Sequence, residues 1–269
     1  MTKLICPKCK EPLELSDRSF ICKNRHCYDI AKEGYVNLLS SNKSGSLIGD
    51  NREMALSRRD FLNKGYFSAL AHALSAELKE CSDNSPCVLD ICCGEGYYSS
   101  FLKENCNGEF LGFDISKEMV RLAAKRKSGV SYFVANMTSI PLENESVDFA
   151  IHLFAPFYES EFHRILKKGG TLVSVTPGSK HLFSLKKAVY DTPYLNDEAP
   201  PAAEKLSFIE QKKVFAEIEL NSNEDIQSLF KMTPYYYHTS DENKRRLEEI
   251  DCLKTEIDFS LNIFKKQGG

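Results

Sequence analysis

The chain has 269 residues, of which 42% are hydrophobic and 27% are charged, and its formal net charge is −3. This composition is that of a globular protein with a sizeable core, and it argues against a strongly basic nucleic-acid binder. Residues 1–64 hold twelve Lys/Arg and eight Asp/Glu, which leaves a net charge of −7 on the rest. A basic N-terminal segment that meets phosphate would explain this asymmetry, and so would a solvated surface of mixed charge.

The cysteines indicate a metal site rather than disulfides. No stretch approaches the roughly 18 consecutive apolar residues of a transmembrane helix. The first residues, MTKLICPKCK, lack the apolar core of a signal peptide. We therefore expect a cytoplasmic protein with no membrane partner. In that compartment the ten cysteines are better explained as thiols and metal ligands.

Four potential zinc ligands stand at the N-terminus as C-x2-C followed by C-x3-H. They are Cys6, Cys9, Cys22 and His26, and the stretch between the pairs alternates like a short hairpin. Zinc binds four such S and N ligands tetrahedrally, and a site closed by protein ligands is structural. Cys27 is an alternative fourth ligand, because C-x4-C is also a workable spacing.

A Ser/Gly-rich run near Lys43 predicts the end of this module, so we expect a zinc-binding domain over residues 1–42 and a larger domain over residues 43–269. The larger domain begins with a helical lead-in over residues 51–82, with Gly65 ending its first helix. Its second helix has one apolar face, which we expect to pack on the main sheet. The residues of this face are Phe67, Leu70, Ala71, Leu74 and Leu78.

A glycine-containing turn, D-I-C-C-G-E-G, follows an apolar strand that ends near Asp90. It resembles the D-x-G-x-G-x-G turn of class I S-adenosylmethionine-dependent methyltransferases. Gly94 and Gly96 would let the backbone approach a cofactor, and Asp90 would lie near the methionine ammonium group. Cys92 stands where these enzymes commonly have Gly, at a cost of roughly 1 kcal/mol if φ is positive there.

The downstream spacing supports the same cofactor. A second strand ends at Asp114, 24 residues after Asp90, where a carboxylate can accept both ribose hydroxyls. A third strand leads to Asn136, whose amide could contact the adenine edge. Strands and helices then alternate, including a predicted helix that ends in the Gly-Gly of L-K-K-G-G-T-L, as a doubly wound parallel α/β (Rossmann-like) sheet requires. The G-x-G-x-x-G spacing of dehydrogenases is absent.

The last third predicts a lid-like insertion over residues 190–222, which is rich in Pro and charge, and a closing strand, TEIDFSLNIFKK. Between them, KMTPYYYH forms an aromatic cluster that stacks a base or packs beneath the lid. His152 and Glu159, near the fourth strand, are candidate general bases by position, although a structural role is the simpler explanation of each.

Nearly the full chain resembles the bacterial 23S rRNA (guanine-N1)-methyltransferase family. The resemblance rests on C-P-x-C with I-C-x-x-x-H, D-I-A-K-E-G-Y-V-N-L-L, D-N-R-E-M, the D-I-C-C-G-E-G-Y-Y turn, F-A-P, T-P-G-x-x-H-L and K-M-T-P-Y. It implies one structural zinc ion, S-adenosylmethionine, a homodimer, and 23S rRNA or a large-subunit precursor as the partner.

Carried over by residue, the resemblance makes Cys6, Cys9, Cys22 and His26 the zinc ligands. It also places four residues at the cofactor: Phe67, Gly94, Glu95 and His181. Phe67 stands where the family can have Tyr, and His181 could hydrogen-bond the cofactor carboxylate. Two alternatives remain open at this point, a methyltransferase for a small molecule and a non-catalytic RNA-binding protein.

Overall fold

The computed structural model describes residues 4–39, 52–81 and 85–268. The strands in chain order are β1 (Leu13–Ser16), β2 (Ser19–Cys22), β3 (Cys27–Asp29), β4 (Val36–Asn37), β5 (Cys87–Ile91), β6 (Glu109–Asp114), β7 (Ser131–Val134), β8 (Val147–Leu153), β9 (Leu166–Pro177), β10 (Ser207–Leu220) and β11 (Leu253–Lys265). The helices are α1 (Arg52–Asn63), α2 (Ser68–Cys81), α3 (Tyr97–Asn105), α4 (Lys117–Lys125), α5 (Glu159–Ile165), α6 (Phe183–Val189), α7 (Asn223–Lys231), α8 (Tyr235–His238) and α9 (Asp241–Glu248).

The central sheet has eight strands in the order β10-β11-β9-β8-β5-β6-β7-β4. The six strands from β9 to β4 are parallel neighbours. Five of them, β5 to β9, were predicted, whereas β4 comes from the N-terminal segment and was not. The two C-terminal strands are antiparallel, so the sheet is mixed rather than wholly parallel. The predicted closing strand is β11. It lies inside the sheet, between β9 and β10, so that β10 is the edge strand.

The two faces of the sheet bury separate apolar clusters. Helix α2 packs against one of them as its periodicity predicts, with Leu70, Ala71 and Leu74 fully buried. Gly65 adopts φ +80° between α1 and α2, a conformation that costs glycine little. These helices therefore cover the sheet ahead of its first central strand.

Two local predictions in the second half are wrong. Helix α5 ends at Ile165, and Gly169 and Gly170 lie within the β9 segment instead of ending a helix. A Cβ on Gly170 would lie 2.9 Å from the carbonyl oxygen of Lys167, so close backbone packing requires glycine there.

The lid-like insertion is also corrected. Residues Ser207–Leu220 form the edge strand β10, which pairs with β11 along its whole length. The preceding segment lies against the end of β9 and α6, where the Asn196 amide N–H donates to the Ser179 carbonyl at 3.0 Å. The Pro-rich and charged composition of this segment predicted a loop. Residues 207–220 form a strand instead because they pair with the apolar strand β11.

The N-terminal module is attached to the sheet at its β7 edge. Strands β1 and β2 form the predicted hairpin, and β3, which was not predicted, adds a third antiparallel strand to this separate sheet. Strand β4 then pairs in parallel with β7, with Val36 opposite Phe133. The Ile5 N–H donates to the Pro141 carbonyl at 3.0 Å, and Lys10 Nζ donates to Ser139 Oγ at 2.9 Å. The predicted domain boundary near Lys43 lies outside the described residues.

In the part of the chain that the structure describes, no helix combines the length and the apolar character that crossing a membrane requires.

Candidate functional site

Four ligand atoms of the N-terminal module lie within 4.8 Å of one another, from Cys6, Cys9, Cys22 and His26. The His26 Nδ1 atom is 3.4 Å from Cys6 Sγ and 3.5 Å from Cys22 Sγ, and Cys9 Sγ is 3.6 Å from Cys22 Sγ. A tetrahedral zinc ion with Zn–S bonds of about 2.3 Å places its ligand atoms about 3.5–3.8 Å apart. The cluster therefore has the dimensions of a closed zinc site.

The alternative ligand, Cys27, is exposed on β3 and is not part of this cluster. Its Sγ lies 3.9 Å from Asp29 Oδ1. By contrast, the Tyr28 hydroxyl lies 3.2 Å from Cys6 Sγ, as a neighbour that supports a ligand sulfur. The geometry favours His26 over Cys27 as the fourth ligand.

A cavity of about 730 Å³ opens at the carboxyl ends of β5, β6, β8 and β9. In an open parallel sheet this edge is where ligands bind, because the strand order reverses there. Helices α1, α7 and α8 complete its walls. Asp90, Gly94, Glu95, Asp114, Phe67 and His181, all predicted to meet a cofactor, line this one cavity.

Asp90 is buried in the cavity wall, with 2% of its surface exposed. Its Oδ2 atom accepts no hydrogen bond from any described residue. Burial raises the pKa of this carboxyl to about 7, with Ser99 opposing the shift and Asp114 adding to it. A buried acceptor with a bare oxygen is a site for a donor or a cation from a ligand.

Asp114 connects two turns at the floor of the cavity. Its Oδ2 accepts from the backbone N–H of Gly94 at 3.1 Å, and its Oδ1 accepts from that of Ser116 at 2.8 Å. Both carboxylate oxygens therefore hold backbone N–H groups, one in the turn after β5 and one at the start of α4.

Glu95 is 1% exposed and forms an ion pair with Arg126, the residue that caps the C-terminal end of α4. Arg126 Nε donates to Glu95 Oε2 at 2.8 Å, whereas Oε1 has no partner among the described residues. Burial raises the pKa of the Glu95 carboxyl, and Arg126 opposes that rise. Glu95 is thus a second acceptor in the cavity wall with one free oxygen.

Gly96 and Asn136 were predicted to meet the cofactor, but neither lines the cavity. Gly96 has φ +82°, and a Cβ there would lie 2.6 Å from the Tyr132 hydroxyl and 2.8 Å from Ala123 Cβ. Its glycine is required for packing of the turn against α4 and β7. The Asn136 side chain accepts from the Thr138 N–H at 2.9 Å and caps a single 3₁₀ turn.

Phe67 and His181 meet at the opposite wall, and sequence reasoning without the resemblance would have placed them in the core and at the surface. Their ring centroids are 6.1 Å apart, and both contact Phe259. Burial lowers the pKa of His181 to about 3, so the ring is neutral. Its Nδ1 accepts from the Asp258 N–H at 3.3 Å, which leaves Nε2 as the donor.

The candidate general bases do not line the cavity. His152 is buried beside Ser174, and burial lowers its pKa to about 4. Glu159 Oε1 accepts from the backbone N–H groups of residues 204–206, so it anchors the segment before β10. Cys92 does line the cavity, but burial raises the pKa of its thiol to about 12, which makes it a poor nucleophile.

Sequence reasoning missed part of the cavity. Met54 and Arg58 of α1, Phe154 to Pro156 after β8, and Thr176 also line it. The F-A-P and T-P-G phrases were noted only as parts of a resemblance, and nothing in them predicts an orientation. The tyrosines of the KMTPYYYH cluster lie in two different environments. Tyr235 and Tyr237 line the cavity, whereas Tyr236 packs on Phe230.

Two family models match the chain. One described as "RlmA, N-terminal" matches residues 4–46, and one described as "Methyltransferase domain" matches residues 88–170. The chain is also 32% identical over 269 residues to the 23S rRNA (guanine(748)-N(1))-methyltransferase of Streptomyces fradiae, with 97% of this chain and 95% of that one covered. The chain belongs to the 23S rRNA (guanine-N1)-methyltransferase family.

Two further relatives of this family, both provisionally named as 23S rRNA (guanine-N1)-methyltransferases, match less closely. The Bacillus subtilis (strain 168) protein is 26% identical, with 97% of this chain and 96% of that one covered. The Micromonospora griseorubida protein is 30% identical, with 68% of each covered. The methyltransferase domain and the observed sheet order identify the class I, Rossmann-like methyltransferase fold.

The metal ligands can be tested by exchanging the two neighbouring candidates. We expect His26→Ala to lose the bound zinc, and Cys27→Ala to retain one equivalent, because only His26 reaches the cluster. Metal content of the purified variants, measured by mass spectrometry, checks this. Zinc loss in Cys27→Ala but not in His26→Ala would assign the site to the other residue.

The packing role of Gly96 predicts a loss of stability. We expect Gly96→Ala to lower the free energy of unfolding by roughly 2–4 kcal/mol, because the new methyl adds a clash to the cost of a positive φ. Gly129→Ala is the matched control, since it has the same φ of +82° but only Lys103 Cε at 3.6 Å. It should cost about 1 kcal/mol. Equal losses in urea unfolding would rule out the clash.

Because the carboxyl group of Asp90 changes its charge near neutral pH, we expect cofactor affinity to depend on pH. The ionised carboxylate attracts a cation, and the free protein loses that charge below its pKa of about 7. Affinity for S-adenosylmethionine should therefore fall as pH drops from 8 to 6, approaching about tenfold per pH unit below 7.

Asp90→Asn is the matching variant. It should weaken binding roughly 10- to 100-fold and lose this pH dependence. Titration calorimetry at several pH values measures both, and an unchanged pH profile in Asp90→Asn would assign the dependence to another group.

Proposed function

We propose that this protein transfers a methyl group from S-adenosylmethionine to N1 of a guanine in a hairpin loop of 23S rRNA. The observation that carries the proposal is the similarity to the Streptomyces fradiae enzyme over 97% of the chain, which spans both the Cys/His module and the cavity. A methyltransferase with a small-molecule substrate would explain the cavity but gives the N-terminal module no role beyond structure.

The cavity residues fit the cofactor. Asp90 Oδ2, which is buried and has no partner among the described residues, matches the ammonium group of the methionine part. Asp114 matches the ribose hydroxyls, and the Nε2 donor of His181 matches the methionine carboxylate. When bound, the cofactor supplies a methyl group on a positively charged sulfur, which is a strong methyl donor.

The protein's part in the reaction is mostly positioning. Guanine N1 must lose a proton to become a good nucleophile, yet the acidic and imidazole groups of the cavity have other roles. Asp114 holds two backbone N–H groups, Glu95 pairs with Arg126, and neutral His181 is a donor. Holding N1 in line with the methyl carbon can by itself supply a large part of the acceleration.

The N-terminal module completes the proposal. A zinc ion held by Cys6, Cys9, Cys22 and His26 would have four protein ligands, so it would supply folding free energy and no catalytic position. The module belongs to the basic part of the chain, which suits contact with the RNA backbone. The target guanine would be extruded from its loop, since single-stranded bases are what such cavities can bind. We further propose a homodimer in the cytoplasm.

The proposal predicts a defined product. Incubation of the protein and cofactor with 23S rRNA from a strain that lacks this gene should add one CH2 to a single guanine of the hairpin. Mass spectrometry of RNA fragments detects the gain, and primer extension should stop there because N1 lies on the pairing edge. A reaction without the protein serves as the control for background methylation.

No gain on naked rRNA or on ribosomal subunits, with cofactor binding intact, would contradict the rRNA assignment. The small-molecule reaction would then be the better account of the cavity.

A further inference from the structure

Phe154 has a backbone conformation that bulky residues rarely adopt. It follows β8 directly, its φ is +54°, and its N–H donates to the Val175 carbonyl at 3.1 Å. Such a conformation costs free energy in a residue with a large side chain, and conformations of this kind cluster at functional sites. The strand end therefore directs this side chain at a cost to stability.

The Phe154 side chain is directed toward the cavity rather than the core. Phe154 lines the cavity and is 46% exposed, although an aromatic ring of this size is normally stabilised by burial. Among the described residues, Cys92, Phe154 and Leu182 are the non-glycine positive-φ residues that line it. The other positive-φ residues outside glycine are polar or charged, as is usual in turns: Lys10, Asp17, Arg25, Ser85, Lys127 and Glu145.

Two aromatic rings pack against the ring of Phe154. Its centroid lies 5.6 Å from that of Phe259 and 6.4 Å from that of His181, whose plane is within 18° of its own. Phe259 is fully buried and His181 is 7% exposed, so both are fixed by the core. The Phe154 ring is thus held in a defined plane with a surface free to meet a ligand.

The position of Phe154 separates it from the predicted cofactor contacts at β5 and β6. Asp90 and Asp114 end those strands, whereas Phe154 stands one strand further along, after β8. Pro156, two residues further along, and Thr176, which follows the Val175 partner of Phe154, also line the cavity, so this part offers apolar surface together with a hydroxyl. A nucleobase has the complementary chemistry, because it presents a π face and polar edges.

We propose that Phe154 is the stacking platform for the target guanine, which would be held with one face on this ring while N1 receives the methyl group. This inference rests on the proposed rRNA methylation and adds the subsite that positions the base. Phe154 binds the substrate and takes no part in proton transfer.

Substitutions separate the aromatic face from side-chain volume. Phe154→Leu and Phe154→Ala should lower single-turnover methyl transfer to the 23S rRNA hairpin roughly 10- to 100-fold, whereas Phe154→Tyr should stay within about threefold. Cofactor affinity and the thermal midpoint should be nearly unchanged in all three. Phe215→Ala is the matched control, because Phe215 is 57% exposed on β10 and does not line the cavity.

The absence of tryptophan from the sequence allows a direct measurement of stacking. Phe154→Trp introduces a single indole at the subsite, and Phe215→Trp places one at the control position. Emission of the first variant should be quenched by the RNA hairpin, and much less by the same hairpin with an abasic nucleotide at the target. Emission of the second should not distinguish the two RNAs.

The outcomes of these experiments separate the stacking proposal from the proposed rRNA methylation on which it rests. Two results would contradict the stacking proposal while leaving the proposed methylation intact. One is that Phe154→Leu methylates the hairpin at the same rate as the unmodified protein. The other is that the emission of Phe154→Trp does not depend on whether the target base is present. If the unmodified protein transfers no methyl group to any rRNA substrate, the proposed function fails and this subsite with it.

Discussion

The two hydrogen bonds to the Asp114 carboxylate organise the cavity. One oxygen accepts from the Gly94 N–H in the turn after β5, and the other accepts from the Ser116 N–H at the start of α4. A single side chain at the end of β6 thereby connects the turns that follow two neighbouring strands. Arg126, on the far end of α4, then reaches Glu95 in the first turn. The floor of the cavity is therefore fixed before any ligand binds, which reduces the ordering cost of binding.

The walls of the same cavity contain several unfavourable features of the fold. Asp90 is a carboxyl group that loses water on burial, and Cys92, Phe154 and Leu182 have positive φ angles. Each has a local cost, either the desolvation of a carboxyl group or a positive φ in a residue other than glycine. They persist because the sheet beneath them buries two large apolar clusters, which compensate for local costs of a few kcal/mol. In the cavity walls, these local costs in the stability of the fold accompany features that suit ligand binding.

The attachment of the N-terminal module has a geometric consequence. Strand β4 is parallel to β7, so it points toward the edge of the sheet where the cavity opens. The chain resumes in α1, whose Met54 and Arg58 line the cavity. The Cys/His module is thus followed in the chain by a strand that points toward the cavity, and the next described element, α1, forms part of the cavity wall.

The sequence by itself determined the parts that depend on local spacing. The C-x2-C and C-x3-H spacing predicted a cluster that the structure assembles, and the amphipathic face of α2 and the strands ending near Asp90 and Asp114 followed from periodicity. The resemblance carried by its motifs also identified the family. Tertiary structure alone decided the rest, because those features depend on contacts between distant residues. The edge strand β10 exists through pairing with β11, the requirement for Gly96 comes from Tyr132 and Ala123, and the Asn136 side chain caps a 3₁₀ turn and does not line the cavity. The orientation of Phe154 depends on Val175, Phe259 and His181, and no pattern within F-A-P encodes that arrangement.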